Sequence, residues 1–161
     1  MKRKYDSEFA FRFHRKSTRL ATHDYAGTAT YLITIRSEYF DPIFENPILQ
    51  NILRATWEAL PARFPNVTLD EFVIMPDHVH FIIHINGNVE KRVLLGRVIG
   101  AYKSITTVDW LNYIKDNKLE LRGLIWQRGF HDSILTSNAT LEAARKYVRN
   151  NPIKQKQQNR I

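Results

Sequence analysis

Stretches patterned like strands and stretches patterned like helices follow one another along this chain. Thr28 to Arg36 (Thr-Ala-Thr-Tyr-Leu-Ile-Thr-Ile-Arg) is rich in β-branched and aromatic residues and reads as a first strand. Asn46-Pro47 opens a helix, Asn as the cap and Pro at the first helical position. Leu49, Ile52, Leu53, Trp57 and Leu60 then recur at helical spacing, and Pro61 and Pro65 predict its end. Leu69 to Met75 reads as a second strand, Pro76-Asp77 as a turn, and His78 to Ile85 as a third strand. After the turn residues Asn86-Gly87-Asn88 comes a second helix with a stripe of Leu94, Leu95, Val98, Ile99, Tyr102 and Ile105, continuing towards Leu111. Ile125 to Leu135 is a fourth strand interrupted at Gly129, where a bulge or close backbone approach is expected. A last helix runs from about Ala139 to Asn150 on a stripe of Leu141, Ala144 and Val148. Pro152 is expected to stop it.

The order strand, helix, strand, strand, helix, strand, with a further helix, predicts an α+β fold. It is the ferredoxin-like split βαββαβ sandwich: a four-stranded antiparallel sheet with helices on one face, plus the C-terminal helix. Residues 1–161 are expected to form a single domain, with 1–28 a basic arm and 153–161 a polar, basic, loosely ordered tail.

Composition narrows the function. There is no cysteine, which excludes disulfides, thiolate metal sites and a thiol nucleophile. No apolar run is long enough to cross a bilayer, and no apolar leader core follows the basic start, so a cytoplasmic protein without a membrane partner is expected. Lys and Arg number 24 against 16 Asp and Glu, a net +8, which favours a polyanionic partner such as nucleic acid. A merely basic protein is the alternative. In the arm, Arg12, Arg15, Lys16 and Arg19 are interleaved with phenylalanines and suit a phosphate backbone or, equally, solvent. Arg97 and Lys103 on the second helix, and Trp126, Gln127 and Arg128 before the last strand, are further candidates for DNA contact; for Trp126 core packing is an equal reading.

The sharpest chemical signal is Met75-Pro76-Asp77-His78-Val79-His80. Alternate residues of a strand share a face, so His78 and His80 point the same way while Val79, Phe81, Ile83 and Ile85 point into a core. Two imidazoles on a half-buried platform can reach one divalent ion, although the pair is incomplete as a site and such a pair is more often two half-exposed histidines without a ligand. His84 shares the face but reads as peripheral. On the last helix Tyr147 and Asn151 are four residues apart and so lie on one face. If that face meets the histidine strand, a phenol and an amide oxygen arrive beside His78 and His80.

Val73 to His80 resembles the His-hydrophobe-His motif of the HUH endonucleases. Trp126-Gln127-Arg128-Gly129-Phe130-His131-Asp132, followed by Tyr147-Val148-Arg149-Asn150-Asn151-Pro152-Ile153-Lys154, resembles the downstream signature of the REP-associated tyrosine transposases. Arg15 to Leu20 and Tyr31 to Ile35 also resemble one subgroup of that family, so the likeness spans nearly the whole chain. It implies that His78, His80 and Asn151 hold Mg²⁺ or Mn²⁺. It also implies that Tyr147 is the nucleophile, that Arg149 and Lys154 join the DNA-contacting set, and that the substrate is single-stranded DNA beside imperfect hairpins. The implied reaction is nicking and rejoining through a 5′-phosphotyrosine. A free phenol has a pKa of about 10 and needs activation, and no side chain in the sequence announces itself as the base. Ser133 departs from the basic residue or histidine that many relatives carry there. Relatives differ in whether the tyrosine helix serves its own subunit or a homodimer partner. Two other readings stand beside this one: a non-catalytic single-stranded nucleic-acid-binding module, and a phosphoesterase using the histidines as acid and base. The latter wants a second His-x-Thr/Ser motif that the sequence lacks.

Overall fold

The computed structural model of the protein describes residues 22–88, 90 and 93–158, the stretch 153–158 as backbone only. In chain order it has strand β1 (Ala29–Arg36), two 3-10 turns (Glu38–Phe40 and Ile43–Glu45), helix α1 (Pro47–Arg63), strands β2 (Val67–Met75) and β3 (His78–Ile85), helix α2 (Leu95–Asp116), strand β4 (His131–Ile134) and helix α3 (Asn138–Gln158). The strands lie in the order β2-β3-β1-β4 and every neighbouring pair is antiparallel, the split arrangement predicted by the element order.

Alternation along β1 and β3 sets the two faces of the sheet. Tyr31, Ile33 and Ile35 of β1 and Val79, Phe81, Ile83 and Ile85 of β3 are buried in the larger core, where α1 and α2 cover them with Leu49, Leu53, Trp57, Leu60, Val98, Ile99 and Tyr102. Burial on this scale is worth about 1.5–3 kcal/mol for each large side chain. The opposite face has its own small core of Leu32, Ile82, Leu135, Ala144 and Val148, with Val73, Leu141 and Tyr147 packed against it. The helices of the split motif therefore cover one face, and α3 covers the other over β2 and β3.

Local chemistry explains most boundaries. The Asn46 side chain accepts hydrogen bonds from the backbone of Ile48 (2.9 Å) and Leu49 (3.2 Å), and Pro47 begins α1. Pro61 does not end α1, which runs on to Arg63. Near a C-terminus it removes one hydrogen bond while its own φ is helical, and Phe64 N–H still donates to the Leu60 carbonyl (2.8 Å). Phe64, which precedes Pro65, does leave helical geometry.

Three further expectations need correction. Helix α3 continues through Pro152 to Gln158 instead of stopping, so the tail's first residues are helical in backbone. One ladder bond is lost at the proline, and the Lys- and Gln-rich residues beyond it are good helix formers. The fourth strand is shorter than its sequence suggests: Trp126 makes an isolated bridge to Ser37, and regular pairing resumes only at His131. Gly129 sits in the break at φ +79°, a conformation that glycine adopts without strain. In α2 the inward stripe passes through Thr106 and Trp110, while Leu94 and Leu111 are exposed. Residues 1–21, with the candidate contacts Arg12, Arg15, Lys16 and Arg19, lie outside the described residues.

Candidate active site

His78 and His80 begin β3 on the face that α3 covers. Their rings lie edge to face, centroids 4.6 Å apart. Each ring is oriented by its Nδ1. His78 Nδ1 donates to Asp77 Oδ1 at 2.6 Å, from the turn immediately before the strand. His80 Nδ1 bonds Thr34 Oγ1 at 2.8 Å, and Thr34 is its direct cross-strand partner on β1. A hydrogen bond at one ring nitrogen fixes the tautomer and presents Nε2 to a ligand, the usual support of a metal-binding histidine. Burial raises the Asp77 carboxyl, but its bond to His78 and the charge of Arg36 outweigh that and hold it below the usual carboxylate range.

The tyrosine comes from the other side. Tyr147 on α3 packs against the small core and directs its hydroxyl to His80 Nε2 at 3.4 Å, with ring centroids 5.2 Å apart. His80 is only 5% exposed beneath it. The chain's own helix thus carries its tyrosine to its own histidines.

Two ion pairs seat that helix. A register shift in β2 sets Asp70 and Glu71 opposite Ile82 alone, so two consecutive carboxylates meet α3. Arg145 Nε donates to Asp70 Oδ1 and Oδ2 (3.0 and 3.1 Å) and Nη2 to Oδ2 (2.6 Å), while Arg149 Nε donates to Glu71 Oε1 (2.7 Å). His84 completes the first pair: Nε2 lies 2.9 Å from Asp70 Oδ2, and Nδ1 lies 2.8 Å from Thr30 Oγ1. Burial raises the Asp70 carboxyl, but the hydrogen bonds from Arg145 and His84 carry it below the usual range. The contacts of α3 thus step from the His84 end of β3 through Arg145 to His80 through Tyr147. Asn151 lies one turn beyond Tyr147 on the same side of α3.

Imidazole nitrogens and an amide oxygen are donor types that could hold a divalent cation. Two imidazoles have their Nδ1 atoms engaged, and the Asn151 side chain follows one turn after Tyr147. Its Nδ2 is buried without a hydrogen-bond partner among the described residues, and it is the amide oxygen, not this N–H donor, that could face a cation. Among the described residues no three His, Cys, Asp or Glu side chains converge on one point, so oxygen ligands must come from an amide, water or substrate.

The other candidates are scattered. Arg36 pairs across the sheet with His78 and shares its face. Gln127 N–H donates to the Arg36 carbonyl (3.0 Å), which brings the Gln127-Arg128 segment to the histidine end of the sheet, with Arg128 exposed. Trp126 is 6% exposed in the core and donates its indole N–H to Thr106 Oγ1 (2.9 Å). Lys103 donates to the carbonyls of Gln127 (2.7 Å) and Gly129 (3.0 Å), and burial lowers the pKa of its ammonium. Arg97 is exposed on α2, across the sheet from the tyrosine. Arg149 is spent on Glu71, and Lys154 lies where only backbone is described. Thr34, Asp77, Asp70 and Arg145 were not singled out from the sequence as parts of the site. Asp77 had a signal in its adjacency to the histidine pair, whereas the others required strand register.

Comparison with known proteins gives the family and the fold. The family described as "Transposase IS200 like" matches residues 26–151. An uncharacterised protein of Haemophilus influenzae is 29% identical over 166 aligned residues, covering 87% of this chain and 89% of that one. Among solved structures, a REP-associated tyrosine transposase bound to a REP hairpin superposes with a TM-score of 0.61 at 16% identity, covering 83% of this chain and 72% of that one. A candidate transposase from Deinococcus radiodurans R1 superposes with a TM-score of 0.51 at 17% identity over 80% of this chain and 94% of its own. The two structures share the fold. The family match, which spans most of the chain and both halves of the site, shows that this protein belongs to the IS200-like transposases.

Proposed function

We propose that this chain is a REP-associated type of single-tyrosine transposase, which nicks and rejoins single-stranded DNA beside imperfect hairpins through a covalent tyrosine intermediate. The observation that carries the reading is the Tyr147 hydroxyl held against His80, next to His78, by the chain's own α3. The similar fold seen on a REP hairpin supports the same class of ligand here, as does the net charge of +8.

In this reading Tyr147 Oη attacks the scissile phosphorus. The Oη–P bond forms and the P–O3′ bond breaks. The 5′-phosphate stays on the tyrosine, and the phenolic proton passes through water to the departing 3′ oxygen, which leaves as a hydroxyl. Reversal with another 3′-hydroxyl rejoins a strand, because the phosphodiester energy is kept in the link. Asp77 and Thr34 hold the two imidazoles, and α3 sets the distance of attack. A divalent cation, Mg²⁺ or Mn²⁺, held by His78 Nε2, His80 Nε2 and the Asn151 amide oxygen would supply polarisation of the phosphate. His78, His80 and Tyr147 meet within one chain, which supports a site built in cis.

The test is a denaturing gel. The protein is incubated with Mn²⁺ and a 3′-labelled single strand carrying hairpins from the flanks of its own gene, beside Tyr147→Phe. A protein-sized labelled band in the wild type alone, lost on chelation, is the expected result. Equal, tight binding by both proteins with no band would instead favour the non-catalytic binding module.

A further inference from the structure

Two aromatic side chains at the histidine end of the sheet have no place in the core or in the chemistry described above. Tyr39 and Phe40, in the turn just after β1, are 70% and 56% exposed. Both have left-handed backbone, φ 56° and 58°, a region that bulky residues rarely occupy. Asn or Gly would suit these positions and would expose no apolar surface. Strain of this kind persists where the surroundings enforce it, and it gathers at ligand sites. Here the surroundings do enforce it. The buried Ser37 donates from Oγ to the Asp41 carbonyl (2.7 Å) and from its N–H to the Asp77 carbonyl (2.8 Å), and Glu38 N–H donates to the Ile125 carbonyl (3.0 Å). The bond to Asp77 ties this turn to the residue before His78.

Each ring also carries a guanidinium. Arg36 Cζ lies 5.4 Å from the Phe40 centroid, and Arg122 Cζ lies 4.6 Å from the Tyr39 centroid, where Arg122 is steadied by an ion pair with Asp41. Arg36 shares the sheet face of His78. The turn therefore presents aromatic faces and cations together, next to the histidine pair. Flat apolar rings beside fixed positive charge suit unpaired bases on a phosphate backbone, because every base has a face to stack.

We propose that Tyr39 and Phe40 form a stacking platform for unpaired bases of the DNA strand beside the His78/His80 site. The proposal rests on the reading of this chain as a single-stranded DNA nuclease and names how that strand is held.

The experiment compares the full-length wild type with a double variant, Tyr39→Asn with Phe40→Asn, and with Phe40→Trp. Fluorescence anisotropy is read with a labelled 12-mer of thymidine and with a blunt duplex of equal length, and thermal unfolding is recorded for each protein. In the double variant the Kd for the single strand rises about tenfold or more, the Kd for the duplex stays within about twofold, and the melting temperature is unchanged or higher. Phe40→Trp binds the single strand at least as well as the wild type. A wild type without preference for the single strand would overturn the platform, as would equal single-strand affinity in the double variant. So would a lowered melting temperature with equal loss on both probes, which would make the rings structural. The Tyr147 adduct assay separates the two readings. No adduct with the single-strand loss intact removes the nuclease and keeps the platform. An adduct with unchanged affinity removes the platform alone.

Discussion

At the residue scale the site depends on groups that hold histidines as much as on the histidines. His80 is almost wholly buried, so its Nδ1 needs a partner and Thr34 Oγ1 supplies it. Thr34→Val keeps the shape and removes the hydroxyl. It should cost about 1–3 kcal/mol of stability, because a buried ring nitrogen is left unpaired. Loss of an outer partner of this kind should also weaken Mn²⁺ binding by about 10–100-fold. Titrating free Mn²⁺ by electron paramagnetic resonance against wild type and variant measures this; unchanged affinity would mean that Thr34 does not orient a ligand. By strand and helix periodicity the sequence puts His78 and His80 on one face and Tyr147 and Asn151 on one face, and it gives them roles only through the family resemblance. It could not show Thr34, 46 residues from His80, since only the register of β1 on β3 makes them partners.

At the element scale the question is what seats the tyrosine helix. Helix α3 has a thin apolar stripe, Leu141, Ala144 and Val148, over a small core. The ion pairs from the β2 bulge add direction to that packing: Arg145 and Arg149 are four apart on α3 and meet consecutive carboxylates. Asp70→Asn keeps the side-chain shape and removes the charge, so the melting temperature should fall by roughly 5 °C. The sign with pH follows from the Asp70 carboxyl, which Arg145 and His84, against the effect of burial, hold below its ordinary value. A carboxyl lowered in the folded state adds stability above its unfolded pKa of about 3.9, and that stability is lost as pH falls from there through the folded value. Wild type should therefore lose more stability than Asp70→Asn as pH falls below about 4. Parallel acid-unfolding curves would show that the pair contributes nothing. Patterning announced the existence of this helix and its tyrosine face. It misplaced the end, because Pro152 reads as a stop in a sequence although a proline breaks only one ladder bond when good helix formers follow. The bulge was equally hidden: Leu69 to Met75 is apolar enough to pass for a strand, and the consecutive Asp70 and Glu71 become an extra residue only against β3.

At the scale of the whole molecule the decisive quantity is charge and where the chain carries it. No helix among the described residues is long and apolar enough to cross a membrane. Of the net +8, the first 21 residues hold seven Lys or Arg against Asp6 and Glu8, a local net of +5. Several of the remaining cations are committed within the fold. Arg145 and Arg149 meet carboxylates of β2, Arg122 meets Asp41, and Lys103 holds two carbonyls. If the body supplies the chemistry and the stacking surface, the arm is the larger reserve of charge for the phosphate backbone. Each phosphate neutralised on a single strand should add about 0.7 to the slope of log affinity against log salt. Replacing Arg12, Arg15, Lys16 and Arg19 together with Gln should flatten that slope by up to about 2.8 for a labelled single strand. Affinity should fall most at low salt, and the two proteins should converge as salt rises, because the lost contribution is itself screened. The adduct on Tyr147 should still form with enough DNA, since none of the four residues belongs to the site. Equal slopes for the two proteins would place the arm in solvent and shift the phosphate contacts to the body, with Arg36 and Arg128 at the histidine end as the next cations to replace.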